Sequence, residues 1–149
     1  NLTVRSPNAP TKAVDSRAEG ADVPDPELHQ TTIARALALH RPAVVVFATP
    51  VYCTSRFCGP VTDMVQELAR AYSDRASFIH VEIWQDFEKK ELTRAAAEWL
   101  FRGNDLNEPW VFVIGADGRI AARLDNVVTR DEIEPLLRGL PVIGPEPAA

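Results

Sequence analysis

The sequence predicts an α/β domain in which one βαβ unit is followed by a β-hairpin and a closing helix. Three observations carry this. AVVVF (43–47) is a short, continuous, β-branched run of the kind buried on both faces of a sheet. Val61, Met64, Val65, Leu68 and Tyr72 then recur at helical spacing. WVFVI (110–114) and RIAARL (119–124) flank GADG (115–118), where Gly and Asp supply the backbone angles of a tight turn.

The other elements follow in order. Residues 1–28 carry scattered Pro, Ala, Ser and Asp without an apolar period, and read as a flexible or strapping segment that adds little to stability. TTIARALALH offers Thr31 or Thr32 as an N-cap, with Ile33, Ala36, Leu37 and Ala38 on one face, and stops before Pro42. SFIHVEIW (77–84) reads as a second internal strand, with His80, Glu82 and Trp84 on one face and Ile79, Val81 and Ile83 on the other. ELTRAAAEWLF (91–101) reads as a helix turning Leu92, Ala95, Ala96 and Trp99 inward. Thr129 and Glu132 have the spacing of a capping box for a last helix, bent or irregular at Pro135. The main domain is set at 29–143, with 144–149 a loose tail.

At 149 residues the chain suits one domain with a full core. A net charge of −5 argues against nucleic acid as a partner, because phosphate neutralisation needs a basic face. No apolar run approaches the length of a membrane span. The first residue is Asn1, which suggests a trimmed or mature form and leaves a membrane tether through a removed segment open.

Cys53 and Cys58 are the only cysteines, placed where the first strand gives way to a helix. A helix N-terminus favours thiolate over thiol, and thiolate is the reactive species in disulfide exchange. A structural disulfide or two ordinary buried thiols are the alternatives. Within one regular helix, residues five apart rise about 7.5 Å, whereas a disulfide needs Cα atoms within about 7 Å. Cys53 is therefore expected in the loop, with the regular helix starting near Pro60 and both cysteines at its mouth.

VVVFATPVYC, CGPV with its amphipathic helix, and EPWVFVIGADGRIAAR together resemble the thioredoxin superfamily over roughly residues 28–140. The last phrase is most similar to the extracytoplasmic thiol-disulfide oxidoreductases of bacteria. The resemblance implies a thioredoxin fold, with a central mixed sheet flanked by helices. It also implies a cis proline at Pro109 facing the cysteines, and disulfide exchange with protein thiols and disulfides outside the cytoplasm, without a cofactor or a metal. A monomer is expected. The family separates its cysteines by two residues and this chain by four. In one register Cys58-Gly59-Pro60 matches the family's first cysteine. In the preferred one, Cys58 falls on the second and Cys53 is the attacking thiol on a lengthened loop.

Tyr52, Phe57 and Trp110 are candidates for an apolar collar on which a protein substrate rests, with Trp110 alternatively core. Glu108, beside Pro109, and Glu82 are candidates for the buried acid that the family keeps on the preceding strand. Arg56 lies between the thiols, either near sulfur or solvated. TPVYCTSRFCG is also similar to the peroxiredoxins of the bacterioferritin-comigratory type, but the position of their Thr is held by Pro50, and the helper arginine has only Arg123 as a candidate. The copper-delivery branch needs a downstream histidine, and none follows His80, itself read as a packed, hydrogen-bonded side chain. A non-enzymatic binding module with a structural disulfide is the remaining alternative.

Overall fold

The computed structural model describes residues 1–101 and 106–148. Its framework is a four-stranded mixed sheet: β1 (Ala43–Ala48), β2 (Ser77–Glu82), β5 (Trp110–Ile114) and β6 (Ile120–Asp125), in the order β2-β1-β5-β6. β1 is internal and buried along its whole length, as a β-branched run with no polar residue requires. It pairs parallel with β2, from Ala43 opposite Ser77 to Ala48 opposite Glu82, and antiparallel with β5. β5 and β6 form the hairpin, with Gly118 at a φ of 81° in its turn.

Helices cover both faces, since alternate residues of β1 and β5 point to opposite sides. Val44, Val46, Val111 and Val113 face α3 (Cys58–Tyr72) and α5 (Arg130–Arg138). Val45, Phe47, Phe112 and Ile114 face α2 (Ile33–Ala38) and α4 (Arg94–Trp99). Thr32 caps α2 by accepting the Arg35 amide at 3.0 Å. The Thr129–Glu132 capping box opens α5, which runs through Pro135.

Four expectations are corrected. The 77–84 strand ends at Glu82, and Trp84 passes to a separate two-stranded ribbon of β3 (Trp84–Asp86) and β4 (Glu91–Leu92). The cause is local: the Thr93 hydroxyl donates to the Glu82 carbonyl at 2.7 Å and the Thr93 amide to the Ile83 carbonyl at 2.8 Å, drawing the chain off the sheet. Trp84 consequently packs with the α2/α4 side, away from His80 and Glu82. The 91–101 helix is shortened to α4 because Glu91 and Leu92 are used in the ribbon. β2, expected inside the sheet, is its edge strand.

That edge is nevertheless buried, because the chain between Thr11 and His29 packs against it. A short helix α1 (Thr11–Val14) and a 3-10 turn at Pro26–Leu28 bring Ala13, Val14, Ala18 and Leu28 into the interior. The segment lacks an apolar period because polar groups do most of the joining: Asp15, Ser16, Asp25 and His29 are all buried. Its docking predicts a stability cost for a cavity there. Leu28→Ala should lower the unfolding free energy in urea by about 2–5 kcal/mol, and a loss under about 0.5 kcal/mol, the range of an ordinary surface substitution, would mean that the segment is not docked in solution.

Candidate redox site at the mouth of α3

The loop from Thr49 to Phe57 carries the chain from β1 to α3 and is tied down at three places. The Val51 amide donates to the Ser16 hydroxyl at 3.1 Å. The Thr54 amide donates to Glu108 Oε1 at 3.2 Å, and the Ser55 hydroxyl donates to the Glu108 carbonyl at 2.9 Å. Arg56, at a φ of 70°, turns the chain and is exposed, in its solvated alternative.

Cys53 and Cys58 form a disulfide with Cα atoms 6.0 Å apart. The helix begins at Cys58, two residues earlier than expected. Phe57 already has right-handed helical angles, so the first turn closes through the Val61 amide to the Phe57 carbonyl at 2.9 Å. Pro60 remains within that turn, where its missing amide proton costs no helical bond. Cys53 stays in the loop, half-buried, with its sulfur 3.2 Å from the Ser55 hydroxyl. Cys58 is 0% exposed. The two sulfurs therefore differ in access while sharing one helix mouth, where the free amides of the first turn favour negative charge.

The Glu108–Pro109 bond is cis, and its neighbours Thr54 and Ser55 place it beside the cysteine loop. The three aromatic candidates do not form one collar. Phe57 packs with the cysteines against the α3 side. Tyr52 stacks on Phe87 at 3.9 Å between ring centres, with the Lys90 ammonium 3.4 Å from the centre of the Phe87 ring. Trp110 lies on the opposite face of the sheet, near Phe112 and under Arg123. The alternation of β5 explains this, since Val111 takes the α3 side and leaves Trp110 the other.

Both candidate acids are buried. Glu108 is 8% exposed, and its Oε2 has no hydrogen-bond partner among the described residues. Burial pushes its carboxyl above the ordinary value, the Thr54 amide opposes this, and the charge of Glu82 reinforces it. Glu82 is 2% exposed and is raised by burial against the opposing effects of His80 and the Ser16 and Trp84 amides. Its partners are those two amides, at 2.8 and 3.1 Å.

Behind β2 lies a group that the sequence reading missed: Asp15, Asp25, His29 and His80, all buried and mutually close. Arg17 pairs with both aspartates, at 2.9 and 3.2 Å. Burial pulls the His80 imidazole down, but Asp15 and Asp25 outweigh it and raise its pKa to about 10. Burial pushes Asp15 up, and hydrogen bonds from His29, His80 and Arg17 reverse that, holding it well below the usual carboxylate range. The residues are spread from 15 to 80 with no regular spacing, so only a carboxylate-bearing segment lacking an apolar period could have hinted at them.

In comparisons with known proteins, no family model matches the chain and no curated protein gives a significant match. No helix among the described residues is long and apolar enough to cross a membrane.

The buried Glu108 carboxyl sets a pH-dependent prediction. Its folded pKa is raised, so the folded state holds the proton more tightly and stability falls as pH rises from the unfolded carboxyl value through the raised one. Glu108→Gln removes that loss. The variant should match the wild type in melting temperature below about pH 4.3 and exceed it at neutral pH, the gap opening as pH rises. A gap that is constant with pH would show that Glu108 does not ionise at a cost.

Proposed function

We propose that the chain is a thiol-disulfide oxidoreductase of thioredoxin-like fold that exchanges disulfides with protein substrates outside the cytoplasm. The observation that carries this reading is the asymmetric Cys53–Cys58 disulfide: one sulfur reachable in the loop, the other sealed at the first turn of α3. The sheet order β2-β1-β5-β6, with helices on both faces and the cis proline beside the cysteine loop, supports the thioredoxin-like part. The disulfide itself supports an oxidising compartment.

In the reducing direction, the Cys53 thiolate attacks one sulfur of a substrate disulfide. A Cys53–substrate bond forms and the second substrate sulfur leaves as a thiolate. Cys58, after losing its proton, attacks the Cys53 sulfur, forming the intramolecular disulfide and expelling the first substrate sulfur. Two electrons pass from the cysteine pair to the substrate. In the oxidising direction, a substrate thiolate attacks Cys53, the accessible sulfur, and Cys58 leaves. The amides of the first turn of α3 stabilise that buried leaving thiolate. Glu108, tied to Thr54 and pushed towards the protonated state by burial, is placed to hold or give up a proton beside the loop. Pro109 shapes the wall opposite.

Three assays test this together. After reduction, iodoacetamide at neutral pH should label Cys53 before Cys58. Cys58→Ser should accumulate mixed disulfides with protein substrates, and Cys53→Ser should lose exchange by at least about 100-fold, the scale of removing a covalent nucleophile. The reverse labelling order would make Cys58 the nucleophile, while two inert sulfurs would leave a structural staple.

A further inference from the structure

We propose that Asp15, Asp25, His29 and His80 form a binding site for a divalent transition-metal ion of the zinc class, which fastens the N-terminal segment to the edge strand β2. The site stands apart from the cysteine reading and uses none of its residues.

Geometry is the first support. One donor atom from each residue lies within 4.8 Å of the others. A tetrahedral ion with bonds of about 2.0–2.2 Å to imidazole nitrogen and carboxylate oxygen spaces its ligands about 3.3 Å apart. His29 Nε2 and His80 Nδ1 are 3.2 Å apart. His80 Nδ1 is 3.1 Å from Asp25 Oδ2 and 3.4 Å from Asp15 Oδ2. His29 Nε2 is 2.8 Å from Asp25 Oδ1 and 3.7 Å from Asp15 Oδ2. The two ring nitrogens thus lie together beside both carboxylates, His80 meeting Asp25 through Oδ2 and His29 through Oδ1. Two nitrogens facing each other at hydrogen-bond distance, amid carboxylate oxygens, form a donor set that a cation completes.

One imidazole has the outer partner of a metal ligand, whereas the buried His29 Nδ1 has none among the described residues. His80 Nε2 lies 3.1 Å from the Ala48 carbonyl, which fixes its N–H there and turns Nδ1 inward. An outer hydrogen bond of this kind is the usual companion of a metal-bound histidine. Arg17 holds both carboxylates from one side: its amide and Nε bind Asp15 Oδ1, and its guanidinium meets Asp15 Oδ2 at 2.9 Å and Asp25 Oδ2 at 3.2 Å. Charge points the same way. Asp15, Asp25 and the neighbouring Asp63, which Arg17 meets at 3.2 Å, bring three negative charges against one guanidinium. All four ligands are buried and all are protein groups, so the site is closed and structural, with no open position for a reacting molecule.

The test uses the full chain, stripped with a chelator and titrated with Zn2+ by calorimetry, and with Co2+ for its visible spectrum. One equivalent should bind, and free Zn2+ at 100 times the dissociation constant should raise the melting temperature by about 5 °C or more. His29→Gln and Asp25→Asn should weaken binding by at least about tenfold, while His40→Gln and the double variant Cys53→Ser/Cys58→Ser should bind as the wild type does. If neither ligand variant folds, the wild-type Co2+ spectrum decides: intense four-coordinate bands carry the proposal, and the pale six-coordinate spectrum overturns it. Absence of binding by the folded wild-type chain, or undiminished binding by a folded His29→Gln, also overturns it.

Discussion

His80 and Glu82 stand on an edge strand, yet His80 is fully buried and Glu82 nearly so. Burying ionisable groups costs several kcal/mol each unless partners replace the lost hydration. The partners come from the segment before the domain. Ser16 gives its amide to Glu82, while Asp15, Asp25 and His29 surround the His80 ring. The apolar contacts of Leu28 and Val14 close the same seam. Without this segment, β2 would present buried-type charges to solvent and lose the covering that lets it act as a fully buried edge.

The same tie reaches the cysteine loop. Ser16 binds Glu82 with its amide and accepts the Val51 amide with its hydroxyl, so one residue connects β2 to the loop that presents Cys53. On the other side, Glu108 fixes Thr54 and Ser55. The loop is thereby held at both ends while Cys53 stays reachable and Cys58 stays sealed. A loop tied at both ends, with one accessible sulfur, suits a reaction in which substrate must meet a single atom, because misplacement at the reacting centre is costly in rate. Glu82 and Glu108, both raised by burial, lie on the two elements that brace the loop. The charge of Glu82 adds to the burial that keeps Glu108 towards its protonated form beside the cysteine loop.

Local rules made much of this legible. β1 follows from an unbroken β-branched run, α2 from its Thr32 cap, α5 from the Thr129–Glu132 box, and the hairpin from Gly118. The cysteine pair and Pro109 were visible because their residue types and order are distinctive. The misses came from contacts remote in sequence or made by single side chains. Thr93 ends β2 through bonds to Glu82 and Ile83, which no periodicity records. His80 meets Asp25 across 55 residues. The aromatic candidates scattered because each followed the face of its own strand or loop: Trp110 with β5, Tyr52 towards Phe87, Phe57 towards the cysteines.

The claim on which the functional account rests is that the Cys53–Cys58 bond is made and broken in use. Its reduction potential is the most direct measure, obtained by equilibrating the full chain with glutathione buffers and quantifying the two redox states. A bond that is made and broken in use has a potential above about −300 mV, with both states populated across the glutathione range. A potential below that value, with the bond intact in excess reduced glutathione, would contradict the account and make the disulfide a permanent staple.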